Sequence, residues 1–118
     1  MQYLLLIYLS ESEAAKRSAE ENAKNFDEYM SFSKAIGESG HLVGGQPLEP
    51  VATATTVRVK GGKIVRTDGP FAETREQLGG YYLIEAKDLD EAVSIAARIP
   101  DARDGSIEVR PVMQIPEM

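Results

Sequence analysis

The run Tyr3-Leu4-Leu5-Leu6-Ile7-Tyr8-Leu9 is apolar on both of its alternating faces. Seven residues suit a strand better than a helix, and a strand with no polar face belongs at the centre of a sheet or under cover on both sides. The period then changes. Ser10 with Glu13 and Ser18 with Glu21 both stand at capping-box spacing, and the second pair predicts the start of the main helix. From there Ala23, Phe26, Met30 and Ser33 recur at helical spacing, with Tyr29 and Ile36 on the adjoining stripe and Glu20, Glu21 and Lys24 toward water. Gly37 weakens the last turn and Gly40 supplies a left-handed stop.

Beyond this helix, His41-Leu42-Val43-Gly44-Gly45 reads as a short extended segment, and Pro47 with Pro50 rules out a central strand after it. The β-branched runs on either side of Gly61-Gly62 predict a hairpin closed by a primed two-residue turn. That turn sets Val59 opposite Ile64, Arg58 opposite Val65, Val57 opposite Arg66 and Thr55 opposite Asp68. Arg66 and Asp68 then share a face, and Arg58 points to the other one. A turn-forming segment from Asp68 to Gln77 leads into a strand over 80–86. Asp88 with Glu91 caps a second helix whose apolar stripe is Leu89, Ala92, Val93, Ala96 and Ile99, with Pro100 as its stop and a last strand over 107–115. The order β-α-β, hairpin, β-α-β predicts an α+β chain, a ferredoxin-like split βαβ with an inserted β-hairpin, in one domain over 1–118.

Composition removes several chemistries. With no cysteine there is no disulfide, thiolate nucleophile or cysteine metal site, and with one histidine there is no multi-histidine site or ordinary catalytic triad. Thirteen basic residues against nineteen acidic ones give a net charge of −6, which speaks against general nucleic-acid binding. The longest apolar run is too short to span a membrane and no basic region precedes it, so the expectation is a soluble cytoplasmic protein without a metal or cofactor.

The positive signals are few. Residues 50–67 carry Arg58, Lys60, Lys63 and Arg66 and no acid, which either attracts an anionic ligand or partner or guards the hairpin against edge-to-edge association. The Asp68-Gly69-Pro70 turn sets a carboxylate at a strand end with Glu73 and Glu76 close behind. Such carboxylates serve as general acid and base if burial separates their pKa values, or they cap the turn and face water. His41 follows Gly40 at a helix exit, where an imidazolium gains from the helix dipole. Glu108 and Arg110 share a face of the last strand, either as an ion pair or with the guanidinium free to hold a carboxylate.

The stretches Ala54–Arg58, Thr67-Asp68-Gly69-Pro70-Phe71-Ala72-Glu73-Thr74-Arg75-Glu76-Gln77, Gly79–Ala86 and Ile107–Val112 together resemble the DGPF branch of the YCII-related proteins, over nearly the whole chain. The resemblance implies a dimeric α/β-barrel arrangement, in which two sheets pack face to face with small clefts beside them, and hence a homodimer. In the broader group a histidine on the first helix and an aspartate are suggested as an acid–base pair. That histidine position falls on Tyr29 here, so the resemblance leaves Asp68 as the leading site residue and Tyr29 as a hydroxyl partner. It also implies a regulatory context near sigma factors of the extracytoplasmic-function class. Two readings follow. In one, a small polar or anionic metabolite binds near Asp68, with Arg58, Arg110, Glu73 and His41 as ligand-binding candidates and acid–base chemistry open. In the other, the chain is a non-catalytic binding or regulatory module in which Phe71 packs into the core or a dimer interface.

Overall fold

Strand β1 (Gln2–Leu9) lies between two others in the computed structural model, which describes residues 1–116. Its neighbours are β5 (Gln77–Glu85) and β6 (Ser106–Pro111), both antiparallel to it, and β2 (Leu42–Pro47) pairs with the far side of β5. The sheet order is therefore β2-β5-β1-β6, with the proline-bearing β2 on an edge, where a missing N–H costs no ladder bond. Helices α2 (Ala19–Glu38) and α3 (Leu89–Ala96) and the four-residue α1 (Glu11–Ala14) complete an α+β fold of antiparallel sheets and three helices among the described residues. None of these helices is long and apolar enough to cross a membrane.

Both long helices cover the same face of the sheet. Tyr3, Leu5 and Ile7 of β1 and Ile84 of β5 form a core with Phe32 and Ile36 of α2 and with Ala92, Ile95, Ala96 and Ile99 from α3 onward. Phe32 meets Tyr82 edge to face at 5.2 Å, and the Tyr82 and Ser33 hydroxyls lie 2.7 Å apart. The caps form as their spacing predicts. The Ser18 side chain accepts from the Glu21 N–H at 3.1 Å while Glu21 accepts from the Ser18 N–H, and Ser10 and Asp88 accept from Glu13 and Glu91 in the same way. Gly40, at φ 82°, follows the end of α2.

Part of each expected stripe faces inward, namely Tyr29, Ser33 and Ile36 on α2 and Ala92, Ala96 and Ile99 from α3 onward, and part does not. Phe26 and Met30 of α2 face water, and the inward stripe is Asn25, Tyr29, Phe32, Ser33 and Ile36. On α3, Leu89 and Val93 are exposed and Ile95 is buried. Phasing by the largest apolar side chains fails on α2 because its inward face must also satisfy a buried carboxylate, described below. The last strand ends at Pro111 rather than continuing to 115; just after it, the Val112 N–H donates to the Gln2 carbonyl at 2.9 Å.

The inserted hairpin has the register that Gly61-Gly62 dictates. Strands β3 (Thr55–Lys60) and β4 (Lys63–Asp68) pair Val59 with Ile64, Arg58 with Val65, Val57 with Arg66 and Thr55 with Asp68. Both turn glycines have positive φ, 56° and 75°, as a primed turn requires. Among the described residues the hairpin joins no other strand, and every residue of β4 is exposed.

Gly105 shows how tightly β6 is entered. A Cβ there would collide with the Tyr8 carbonyl oxygen, while the Gly105 N–H donates to the Asp101 carbonyl at 2.7 Å. Gly105→Ala is expected to lower unfolding stability by about 1–3 kcal/mol through this overpacking, measured by urea denaturation against the parent chain.

Candidate functional site

Asp101 is the one buried charged or polar residue among those described, at 6% exposure. It sits in a short 3₁₀ turn, Pro100–Arg103, that follows α3 and begins with the proline that cannot extend the helix. A carboxylate so placed needs donors. Three converge on it: Arg17 Nη2 reaches Oδ1 at 3.0 Å, Asn25 Nδ2 reaches the same oxygen at 3.2 Å, and the Tyr29 hydroxyl reaches Oδ2 at 2.7 Å. Asn25 and Tyr29 lie four residues apart on α2, hence on one face, and Arg17 stands just before the Ser18 cap.

The cluster's chemistry follows from its donors. Burial, the hydrogen bond given to Asp101 and that carboxylate's negative charge all push the Tyr29 phenol well above its ordinary pKa. Tyr29 is therefore a fixed donor at neutral pH and no source of phenolate. Asp101 in turn is occupied in joining α2 to the turn after α3. Arg17 Nη2 also stands 3.8 Å from Asp104 Oδ2, and on the outer side Arg103 Nη2 pairs with Glu28 Oε2 at 2.9 Å. That bond holds the Glu28 carboxyl below its usual range.

Asp104 leads from this cluster to a cleft of about 710 Å³ lined by Ser10–Glu13, Val51, Thr74–Gln77 and Asp104. Its walls are stitched to one another. Glu11 accepts from the Val51 N–H at 3.0 Å, and the Glu11 N–H donates to Gln77 Oε1 at 2.8 Å. Gln77 Nε2 donates to the Thr74 carbonyl, and the Thr74 hydroxyl to the Glu76 carbonyl, each at 2.6 Å. Of the four carboxylates in the lining, Glu13 pairs with Lys16 at 3.2 Å, Asp104 stands 3.8 Å from Arg17 and Glu11 accepts from Val51; Glu76 is the fourth, and Arg75 is the one guanidinium in the lining. The four do not converge as metal ligands would, since no three His, Asp or Glu side chains among the described residues gather around one point. A second depression of about 460 Å³ lies beside α2, lined by Lys24, Asp27, Glu28, Ser31, Phe32, Arg98 and Pro100, with the Arg98 guanidinium 5.7 Å from the centre of the Phe32 ring.

The structure spreads the sequence candidates widely. Tyr29 meets Asp101 and makes no hydrogen bond to Asp68. Asp68 closes β4 opposite Thr55 and is exposed, and the turn after it is held by backbone instead: the Gly69 N–H donates to the Ala54 carbonyl at 2.7 Å and the Thr56 hydroxyl to the Gly69 carbonyl at 2.9 Å. Glu73 is exposed on the following loop, just before the cleft wall, and Phe71 is 80% exposed. Arg58 is exposed on β3, and Arg110 lies opposite Leu4 on β6. His41 links two elements, with Nδ1 2.7 Å from the Ser39 hydroxyl and Nε2 3.2 Å from Glu91 Oε1. Asp101, Arg17 and Asn25 were not anticipated. The available signal was the polar pair Asn25 and Tyr29, four apart on a helix whose inward stripe continues through Phe32 and Ile36.

Asp101→Asn is expected to lower stability by about 3 kcal/mol or more, because it strands a largely buried guanidinium, whereas Tyr29→Phe removes one donor of three and costs about 1–2 kcal/mol; denaturant titration separates them. A phenol raised above its unfolded value adds stability that is intact below about pH 10 and is lost as pH climbs toward the folded value, since only the unfolded chain then releases its proton. Alkaline absorbance titration of the parent against Tyr29→Phe is expected to show one phenol that stays protonated until the chain unfolds.

The chain matches the family model of the YCII-related domain over residues 1–116. It is also similar to an uncharacterized protein of Rhizobium meliloti (strain 1021), 39% identical over 114 residues that cover 95% of this chain and 92% of that protein. With a whole-length family match and a relative of nearly its own length, the chain belongs to the YCII-related family.

Proposed function

We propose that this chain is a binding protein for a small polar metabolite, taken up in the cleft between Ser10–Glu13 and Thr74–Gln77. The observation that carries this reading is the cleft itself, about 710 Å³ walled by hydroxyls, an amide, four carboxylates and one guanidinium. The volume suits a metabolite-sized ligand. Its wall begins at Thr74, three residues along the chain from Phe71, and the Asp-Gly-Pro-Phe segment supports reading the chain as part of the DGPF branch of the family. With Lys16 beside Glu13 and Arg17 beside Asp104, the four carboxylates still outnumber the cations around the cleft by one, which favours a ligand that brings positive charge, such as an amine, or a zwitterion whose carboxylate meets Arg75. A purely anionic ligand has little to meet there.

The strand order and the two crossing helices support a ferredoxin-like fold of the dimeric α/β-barrel type. Leu4, Leu6 and Tyr8 of β1 and Leu78, Tyr81 and Leu83 of β5 form an apolar strip on the sheet face opposite the helices, bordered by Glu108 and Arg110. An apolar strip of this kind is the surface on which a second sheet packs.

Native mass spectrometry and a thermal-shift screen with amines, zwitterions and organic acids test the ligand reading. Amines or zwitterions are expected to raise the melting temperature of the parent, and Glu13→Gln with Glu76→Gln is expected to abolish the shift without changing the unliganded melt. A response confined to organic acids would overturn it.

A further inference from the structure

We propose that the β3–β4 hairpin is a clasping arm that packs on the acidic body of a second copy of this chain. The inference rests on the reading of the protein as one of a pair and adds a contact that two facing sheets do not supply. One face of the arm presents Val57, Val59 and Ile64 at 60, 68 and 72% exposure, and the other presents Arg58, Lys60 and Lys63 around Val65. A two-stranded hairpin alone in water is marginally stable, and among the described residues no third strand pairs with this one. The Cα radius of gyration, 16.5 Å, exceeds the roughly 13–14 Å of a compact chain of this length, as a projecting arm requires.

Charge identifies the occupant. Of the thirteen basic residues, four lie in the arm with Asp68 as its one acid, so the arm carries +3, and the other nine basic residues against eighteen acids leave −9 on the rest of the chain. None of Arg58, Lys60, Lys63 or Arg66 forms an ion pair among the described residues. Two copies brought sheet to sheet oppose one acidic body to another, whereas an exchanged arm sets a +3 segment against each body. A nucleic acid would satisfy the arm but be repelled by everything behind it. A second copy satisfies arm and body twice over, by symmetry.

The test uses the full chain in sedimentation equilibrium and hydrogen exchange. The parent is expected to be a dimer that dissociates more readily as salt rises, because exposed charge pairs are screened. Arg58→Glu/Lys60→Glu/Lys63→Glu, and separately Val57→Ser/Ile64→Ser, are expected to raise the dimer dissociation constant by roughly tenfold or more. The arm lies outside the core, so far-UV circular dichroism of both variants should match the parent; the apolar pair keeps the test decisive if the charge triple misfolds. Amides of 55–60 and 63–68 are expected to be protected in the dimer and to exchange rapidly on dilution to monomer. A parent that dimerises while both variants keep its dissociation constant, or arm protection that ignores concentration, overturns the arm and leaves the sheet-to-sheet dimer standing. A monomeric parent at every concentration overturns both.

Discussion

The Asp101 carboxylate organises the helical half of this protein. Taking a carboxylate out of water costs several kcal/mol unless donors replace the solvent, and here they come from Arg17 ahead of α2, and from Asn25 and Tyr29 on its inward face. The rotation of α2 follows from that demand: turning Asn25 and Tyr29 toward the 3₁₀ turn after α3 carries Phe32 and Ile36 into the core and leaves Phe26 and Met30 in water. The same turn sets the entry to β6, where Gly105 binds the Asp101 carbonyl and packs under Tyr8. Asp101 thus fixes a helix phase through its side chain and a strand entry through its backbone carbonyl, and Arg17 carries the link on to Asp104 at one corner of the cleft.

The parts of the fold that were legible in the sequence are those set by neighbours in the chain. The hairpin register follows from Gly61-Gly62 and the period of two, and the caps at Ser10, Ser18 and Asp88 follow from a side chain three residues before its target. The apolar β1 lies at the sheet's interior because it has no face to spare. Hydrophobic spacing, by contrast, cannot choose between adjacent stripes of α2 when one holds the larger side chains and the other holds the donors.

The candidate site was less legible for the same reason. Arg17, Asn25 and Tyr29 stand 84, 76 and 72 residues from Asp101, so no local pattern joins them. The family resemblance pointed to Tyr29 through its place on the first helix, but its partner lies in a loop that sequence reading treats as solvent. The cleft near the Asp-Gly-Pro-Phe segment is built likewise from Ser10–Glu13, Val51 and Thr74–Gln77, which only the folded chain brings together.

Leu48 and Gly79 meet directly, the N–H of one donating to the carbonyl of the other at 2.9 Å, at the point where the chain leaves β2 and re-enters the sheet in β5. The stretch 49–76, between β2 and the start of β5, leaves and returns close to this pair, and none of it belongs to the buried core. The segment is thus a module on a closed frame: its length and sequence can drift in evolution, or be exchanged by an engineer, without disturbing the packing of the sheet and helices. Because Val51 and Thr74–Gln77 lie at the feet of that module as well as in the walls of the cleft, the shape and charge of the cleft can diversify while the frame is inherited unchanged.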